Sequence, residues 1–231
     1  MVQVNTPINL RVKFKKVGAL QYVSHLDLVR TMHKIIVRAK LPLWYTEGFN
    51  PKPKMVFAAP LSIGTESVVE FLDIRLSEVA DTEELKARLN VNMTDELCIT
   101  EAYYPTSKFT DLKWLSYNVE IKTKNASEDL ASECVNYLLG DSVGVLKKTK
   151  SKELVKVDIR PLIKDAGAVY ENGIIKLSLV LSGDPSAFLN PELVIKALKE
   201  RCGILNSDAL TDEYYSVMRI GAFFEDMTEF R

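Results

Sequence analysis

The sequence predicts an α+β chain of two consecutive βαββαβ units, each with an antiparallel sheet. Three observations predict it. Short stretches of alternating polarity recur between amphipathic helical stretches. The element order β-α-β-β-α-β is read twice along 231 residues, a length that suits one large or two small domains. A turn-rich stretch, "PTSKFTD" from Pro105 to Asp111, separates the halves. The expected units are 1–108 and 109–231.

In the first unit, "NLRVKFKKVG" alternates Leu10, Val12 and Phe14 with Arg11, Lys13 and Lys15. This predicts a half-buried strand with a cationic outer face, continued through "GALQYV" after a break at Gly18. Ser24, with Asp27 three residues on, has the form of a capping box and opens a helix to about Lys40, which Pro42 stops. "WYTEGFNPKPK" is a Gly/Pro/Asn-rich loop. "MVFAAPLSIG" and "SVVEFLDIRL" read as strands joined near Ser62–Gly64, "DTEELKARLN" as a helix capped by Asp81, and "LCITEAYYP" as a strand.

The second unit opens with the strand "KWLSYNVEIKTK". The helix "ASEDLASECVNYLLG" follows, with Leu130, Cys134, Tyr137 and Leu138 on one face and Gly140 as C-cap. "GVLKKTK" and "LVKVDIRPLI" offer one strand between them, and "AGAVYENGIIKLSLVL" a turn at Glu171–Gly173 and then a strand. "NPELVIKALKERCG" is a helix with Asn190 as N-cap, Pro191 at its first position and Gly203 as stop. "EYYSVMRIGAFF" is the last strand. Together these predict two tandem ferredoxin-like domains, helices on one face of each sheet.

Composition bounds the function. Apolar residues are 47% and charged residues 26%, and the net charge is -1, so the chain as a whole is not a polybasic nucleic-acid binder. No apolar run is long enough to span a bilayer, and "MVQVNTPINLRVKF" has no secretory pattern, so a cytoplasmic protein is expected. Cys98, Cys134 and Cys202 are odd in number and far apart in sequence, which suits buried thiols rather than a disulfide framework or a metal knuckle. The neutral total conceals an asymmetry. Residues 1–60 hold ten Lys and Arg against Asp27 and Glu47, an excess of +8. A second basic cluster runs from Lys147 to Lys156. Charge divided in this way focuses an anionic partner onto one face.

The first helix carries both histidines, His25 and His33. At 100° per residue, Leu28, Met32, Ile35, Ile36 and Ala39 share one side and Arg30, Lys34 and Arg38 the other. Like charges at that spacing repel by roughly 0.2–0.5 kcal/mol per pair. The row is therefore either a solvated face or an anion-binding stripe. His25, in the first turn, is either packed against the sheet or a general acid/base tuned by the helix N-terminus. Two histidines without a neighbouring cysteine or an H-E-x-x-H pattern make a zinc site unexpected. In the loop, Gly48 permits positive φ, Pro51 and Pro53 stiffen the chain, and amides near Gly48 and Asn50 could cradle a phosphate beside Lys52 and Lys54. Trp44, Tyr45 and Phe49 are either core aromatics or platforms for unpaired bases.

These residues also carry a resemblance. S-H-L-D-L at Ser24–Leu28, R-A-x-L-P at Arg38–Pro42, G-F-N-P-x-P at Gly48–Pro53, F-A-x-P-L-x-x-G at Phe57–Gly64, and Glu70 resemble the signature of the radical SAM-associated (radical SAM-linked) family of unknown function, DUF2344. The likeness is specific across the first half; the second half matches in length and general pattern. It implies an accessory role beside a radical SAM enzyme. This chain has no C-x3-C-x2-C, so the iron–sulfur cluster and SAM are expected on the partner and no cofactor on this chain. Members often have His where this chain has Lys52, which argues against a required histidine there. The tandem plan also resembles, in fold alone, CRISPR repeat-RNA endonucleases.

Three functions follow as expectations. The first is a non-catalytic module presenting RNA or another phosphate-bearing substrate to the radical SAM partner through Arg30, Lys34, Arg38, Gly48, Phe49, Asn50, Lys52 and Lys54. The second is a metal-independent endoribonuclease with His25 as base, assisted by Tyr22 or Tyr45, and Lys52 stabilising charge. The third is a protein adaptor docking on an acidic patch of the radical SAM partner. Glu70 could cross-link the basic loop through Lys52 or Lys54 as a structural ion pair.

Overall fold

A computed structural model describes residues 6–148, 153–207 and 212–231. The chain is a mixed α/β protein that divides into two compact units, Met1–Phe109 with Arg231, and Thr110–Phe230.

The first unit runs β1 (Ile8–Lys16), α1 (His25–Arg38), β2 (Met55–Phe57), β3 (Thr65–Leu76), α2 (Thr82–Asn90) and β4 (Leu97–Tyr103). Its strands lie side by side as β4-β1-β3-β2, all neighbours antiparallel. Leu10, Val12 and Phe14 of β1 are wholly buried, in one core with Leu28, Met32, Ile35 and Ile36 of α1 and Leu85 and Leu89 of α2. Burying each such side chain contributes roughly 1.5–3 kcal/mol. That outweighs the few tenths lost where cations repel along the outer side of α1, so the helix tolerates the row. Ser24 caps α1 by accepting the Asp27 amide, and Asp81 caps α2 by accepting that of Glu84.

Two expectations for this unit fail. "GALQYV" is not strand: Gly18–Tyr22 is a 3-10 turn, entered through Gly18 at φ +62° and pinned by Lys16, whose ammonium donates to the carbonyls of Leu20 and Gln21. The outer face of β1 is not a free cationic surface either. Arg11 is wholly buried, with Nε 2.7 Å from Asp73 Oδ1 and Nη2 3.0 Å from Oδ2, and it donates to Ser107. Its guanidinium lies over the Phe109 ring at 4.3 Å. Lys13 pairs with Glu101 at 3.1 Å. The register explains both pairs: Arg11 lies opposite Asp73 on β3, and Lys13 opposite Glu101 on β4. The neutralising acids come from neighbouring strands, where sequence spacing cannot show them.

The second unit runs β5 (Trp114–Lys122), α3 (Glu128–Leu138), β6 (Gly144–Lys148), β7 (Leu154–Asp158), β8 (Ile163–Glu171), β9 (Ile174–Ser182), α4 (Pro191–Cys202) and β10 (Tyr214–Phe223). The main strands order β10-β5-β9-β8, again antiparallel throughout. β6 and β7 pair as a separate ladder. The single strand expected from "GVLKKTK" and "LVKVDIRPLI" is thus two, and "AGAVYE" supplies the sheet strand. Asn172 and Gly173, at φ 51° and 81°, make the tight turn from β8 to β9 where the sequence placed one. Asn190 caps α4 and Gly203, at φ 68°, ends it. Leu139, not Gly140, is the C-cap of α3. Residues 149–152 of the second basic cluster lie outside the described residues.

Candidate functional site

Three elements of the first unit build the site: α1, the loop from Trp44 to Lys54, and β2. The loop is closed by reciprocal bonds. Thr46 N–H donates to the Lys52 carbonyl at 3.0 Å, and Lys52 N–H to Thr46 Oγ1 at 3.2 Å. Tyr45 bridges Pro53 outside them. The stem is tied to β3 at Arg75, which accepts from Trp44 N–H and donates to the Lys54 carbonyl. At the tip Gly48 has φ +123°, a conformation L side chains rarely adopt, so the turn requires glycine. Phe49 beside it is fully exposed; it is not a core aromatic. Gly48, Asn50, Lys52 and Lys54 are exposed as well.

The cation row of α1 faces solvent as its periodicity indicates, yet its members differ. Arg30 is neutralised locally, with Nη1 2.9 Å from Asp27 Oδ1. The Ser24 hydroxyl, with Arg30 second, holds the Asp27 carboxyl below its ordinary range. Lys34, Arg38, Lys52 and Lys54 make no ion pair among the described residues. Arg38 also sits in the last turn of α1, where a cation complements the helix dipole. Glu70 does not reach the loop lysines: it is buried on β3 opposite Phe14. There it lines a small cavity of about 10 Å³ with Lys16 and His25.

Both histidines line one cleft of about 450 Å³. His25, Val29 and His33, spaced i, i+4 and i+8, form its α1 wall. Lys52 and Pro53 enter from the loop, Met55, Val56 and Phe57 from β2, and Pro60 closes it. The His25 ring meets Phe57 edge-on at 5.3 Å, and Phe57 meets core Phe14 edge-on at 6.2 Å, so the imidazole is braced against the core. Chemically the cleft offers two imidazoles, an ammonium and an apolar floor.

The structure thus brings together His25 and Lys52 from the sequence-predicted set. It adds His33, to which the sequence assigned no role. Tyr22 and Tyr45, the expected assistants of His25, are exposed and do not line the cleft. The missed signal was the His25-Val29-His33 row; what faced it could not be read. No cluster of three or more His, Cys, Asp or Glu able to hold a metal occurs among the described residues. Nor is any described helix long and apolar enough to cross a membrane.

No curated protein matches the sequence. A solved structure, the crystal structure of a Cbf5-Nop10-Gar1 complex, is similar over 94% of this chain at 10% identity and a TM-score of 0.51. This chain spans 50% of the chain it matches there. A crystal structure of an unknown protein from Galdieria sulphuraria aligns over 93% of this chain and 99% of its own at 9% identity, with a TM-score of 0.28. The first likeness concerns fold alone. Residues 9–191 match the family described as an uncharacterized protein conserved in bacteria, and the chain belongs to that family, DUF2344.

Proposed function

We propose that the chain is a non-catalytic accessory module: its first unit holds RNA or another phosphate-bearing substrate for a radical SAM enzyme that carries the iron–sulfur cluster and SAM. The observation that supports it is the set of exposed cations that make no ion pair among the described residues, Lys34, Arg38, Lys52 and Lys54, together with the fully exposed Phe49 on the loop. Cations without internal partners suit a chain of phosphates, and an exposed aromatic suits an unpaired base. Arg30 contributes less, because Asp27 occupies it. In the same reading both units are ferredoxin-like, since each orders its sheet strands fourth, first, third, second in its own sequence.

The test is fluorescence anisotropy with a labelled single-stranded RNA from 50 to 200 mM salt. Four phosphate contacts give a log–log slope of about −3, and Lys34→Ala with Arg38→Ala reduces it by about 1.4. Absence of binding at low salt sinks the reading. Capture of a radical SAM partner without RNA would favour the adaptor instead.

A second reading has one observation in its favour. His25 and His33 share a cleft with Lys52, an arrangement suited to base, acid and charge stabiliser in metal-independent RNA cleavage. It requires RNA cleavage in EDTA that His25→Ala abolishes.

A further inference from the structure

We infer that the cleft between α1 and the Lys52–Pro60 segment receives one unpaired nucleotide of a single-stranded RNA, its base on the apolar floor and its phosphate against Lys52 and the imidazoles. This rests on the RNA-binding reading and specifies where and how one base is held.

Size is the first argument. At about 450 Å³ the cleft falls in the range of sites for small organic ligands and is far larger than a phosphate ion needs. Lining is the second. An anion alone would leave Val29, Met55, Phe57 and Pro60 wet, whereas a ligand joining a flat ring to an anion satisfies floor and rim together. Imidazole and ammonium groups at the rim can donate to phosphate oxygens or base edges. Phe57, the aromatic of that floor, meets both His25 and Phe14 edge-on.

Surroundings supply the third argument and separate a strand from a free nucleotide. Lys54, two residues beyond Lys52 on the same loop, is exposed, makes no ion pair among the described residues and lies outside the cleft lining. One phosphate does not need it; a phosphate flanking an inserted nucleotide would. Phe49, fully exposed at the loop tip, offers a face on which a neighbouring base can stack. A duplex fits poorly, because its bases are stacked and paired and cannot enter a cleft singly.

The experiment uses the full chain and a labelled 12-nucleotide single-stranded RNA of mixed sequence. Competitors are adenosine and uridine 5′-monophosphates, the two nucleosides, inorganic phosphate and a blunt RNA duplex. Val29→Trp fills the cleft and leaves every cation in place. Val56→Asp, at a half-exposed wall position, adds a carboxylate that repels phosphate; circular dichroism checks both folds. We expect each variant to weaken RNA binding about tenfold or more, with the salt slope retained in Val29→Trp. We expect a monophosphate to compete better than nucleoside or phosphate alone, and the duplex to compete worst. Conversely, Lys34→Ala with Arg38→Ala should weaken RNA but leave monophosphate binding unchanged. If both cleft variants bind RNA as the wild type does, or a monophosphate competes no better than phosphate, the cleft inference is overturned and the basic-face reading survives. If the wild type binds no RNA at low salt, both fall.

Discussion

Replacing Asp73 with alanine removes both oxygens that hold the Arg11 guanidinium, and with them the acceptor of the Asn9 amide at 2.7 Å. Arg11 is 0% exposed, so water cannot take the place of the lost carboxylate. It also meets Ser107, which accepts 2.7 Å from Nη1, and the face of Phe109. Neither carries a counter-charge. Removing one member of a buried pair costs about 3–5 kcal/mol, since the other charge stays behind. Against a total of about 5–15 kcal/mol for a domain, that is roughly a fifth or more of the stability. For a unit of about 110 residues the melting temperature should fall by at least about 12 °C. Urea unfolding followed by tryptophan fluorescence is the assay, because Trp44 reports on the first unit and Trp114 on the second. The companion variant, Arg11→Met with Asp73→Leu, removes both charges and should recover most of the loss. A cost under about 1 kcal/mol for Asp73→Ala, or a double variant as unstable as the single one, would refute the buried-pair account.

Two further outcomes concern the second unit. Glu213 accepts from the Thr123 hydroxyl, the Lys124 amide and the Ser207 amide, which holds its carboxyl down at about 2 from an ordinary 4.5. Its stabilisation is therefore full above pH 4.5 and lost as pH falls toward 2; Glu213→Gln should flatten the stability profile across that window, and an unchanged profile counts against it. The Cys134 thiol hydrogen-bonds Cys202, drawing the Cys202 thiol below its ordinary range while Cys134 is pushed up. Cys202 should alkylate with iodoacetamide faster than Cys98 at pH 8, and Cys134→Ala should slow it; faster reaction at Cys98 would contradict the pairing.

Much of the fold was legible because it rests on local chemistry. The caps at Ser24, Asp81 and Asn190, the stop at Gly203 and the turn at Asn172–Gly173 each satisfy backbone groups within a few residues. The buried stripe of α1 follows from its 3.6-residue period. "GVLKK" and "LVKVD" misled because a strand shows its alternation but not its partner, and these two pair with each other. The same limit applied at the site. Arg11 and Lys13 look like free cations until the register sets Asp73 and Glu101 opposite them. Lys34 and Arg38 look alike in sequence to Arg30, yet Arg30 alone of the three meets a local acid.

What the sequence determined by itself is where α1, α2 and α4 begin and α4 ends, which stripe of α1 is apolar, and that residues 1–60 carry excess positive charge. Those are properties of neighbours in the chain. Only the tertiary structure decided which cations stay unpaired, and that His25, His33 and Lys52 share one cleft above Phe57. The physical reason is that charge pairing and cavity shape depend on distances between side chains dozens of residues apart, which the antiparallel register and the loop tied to Arg75 set.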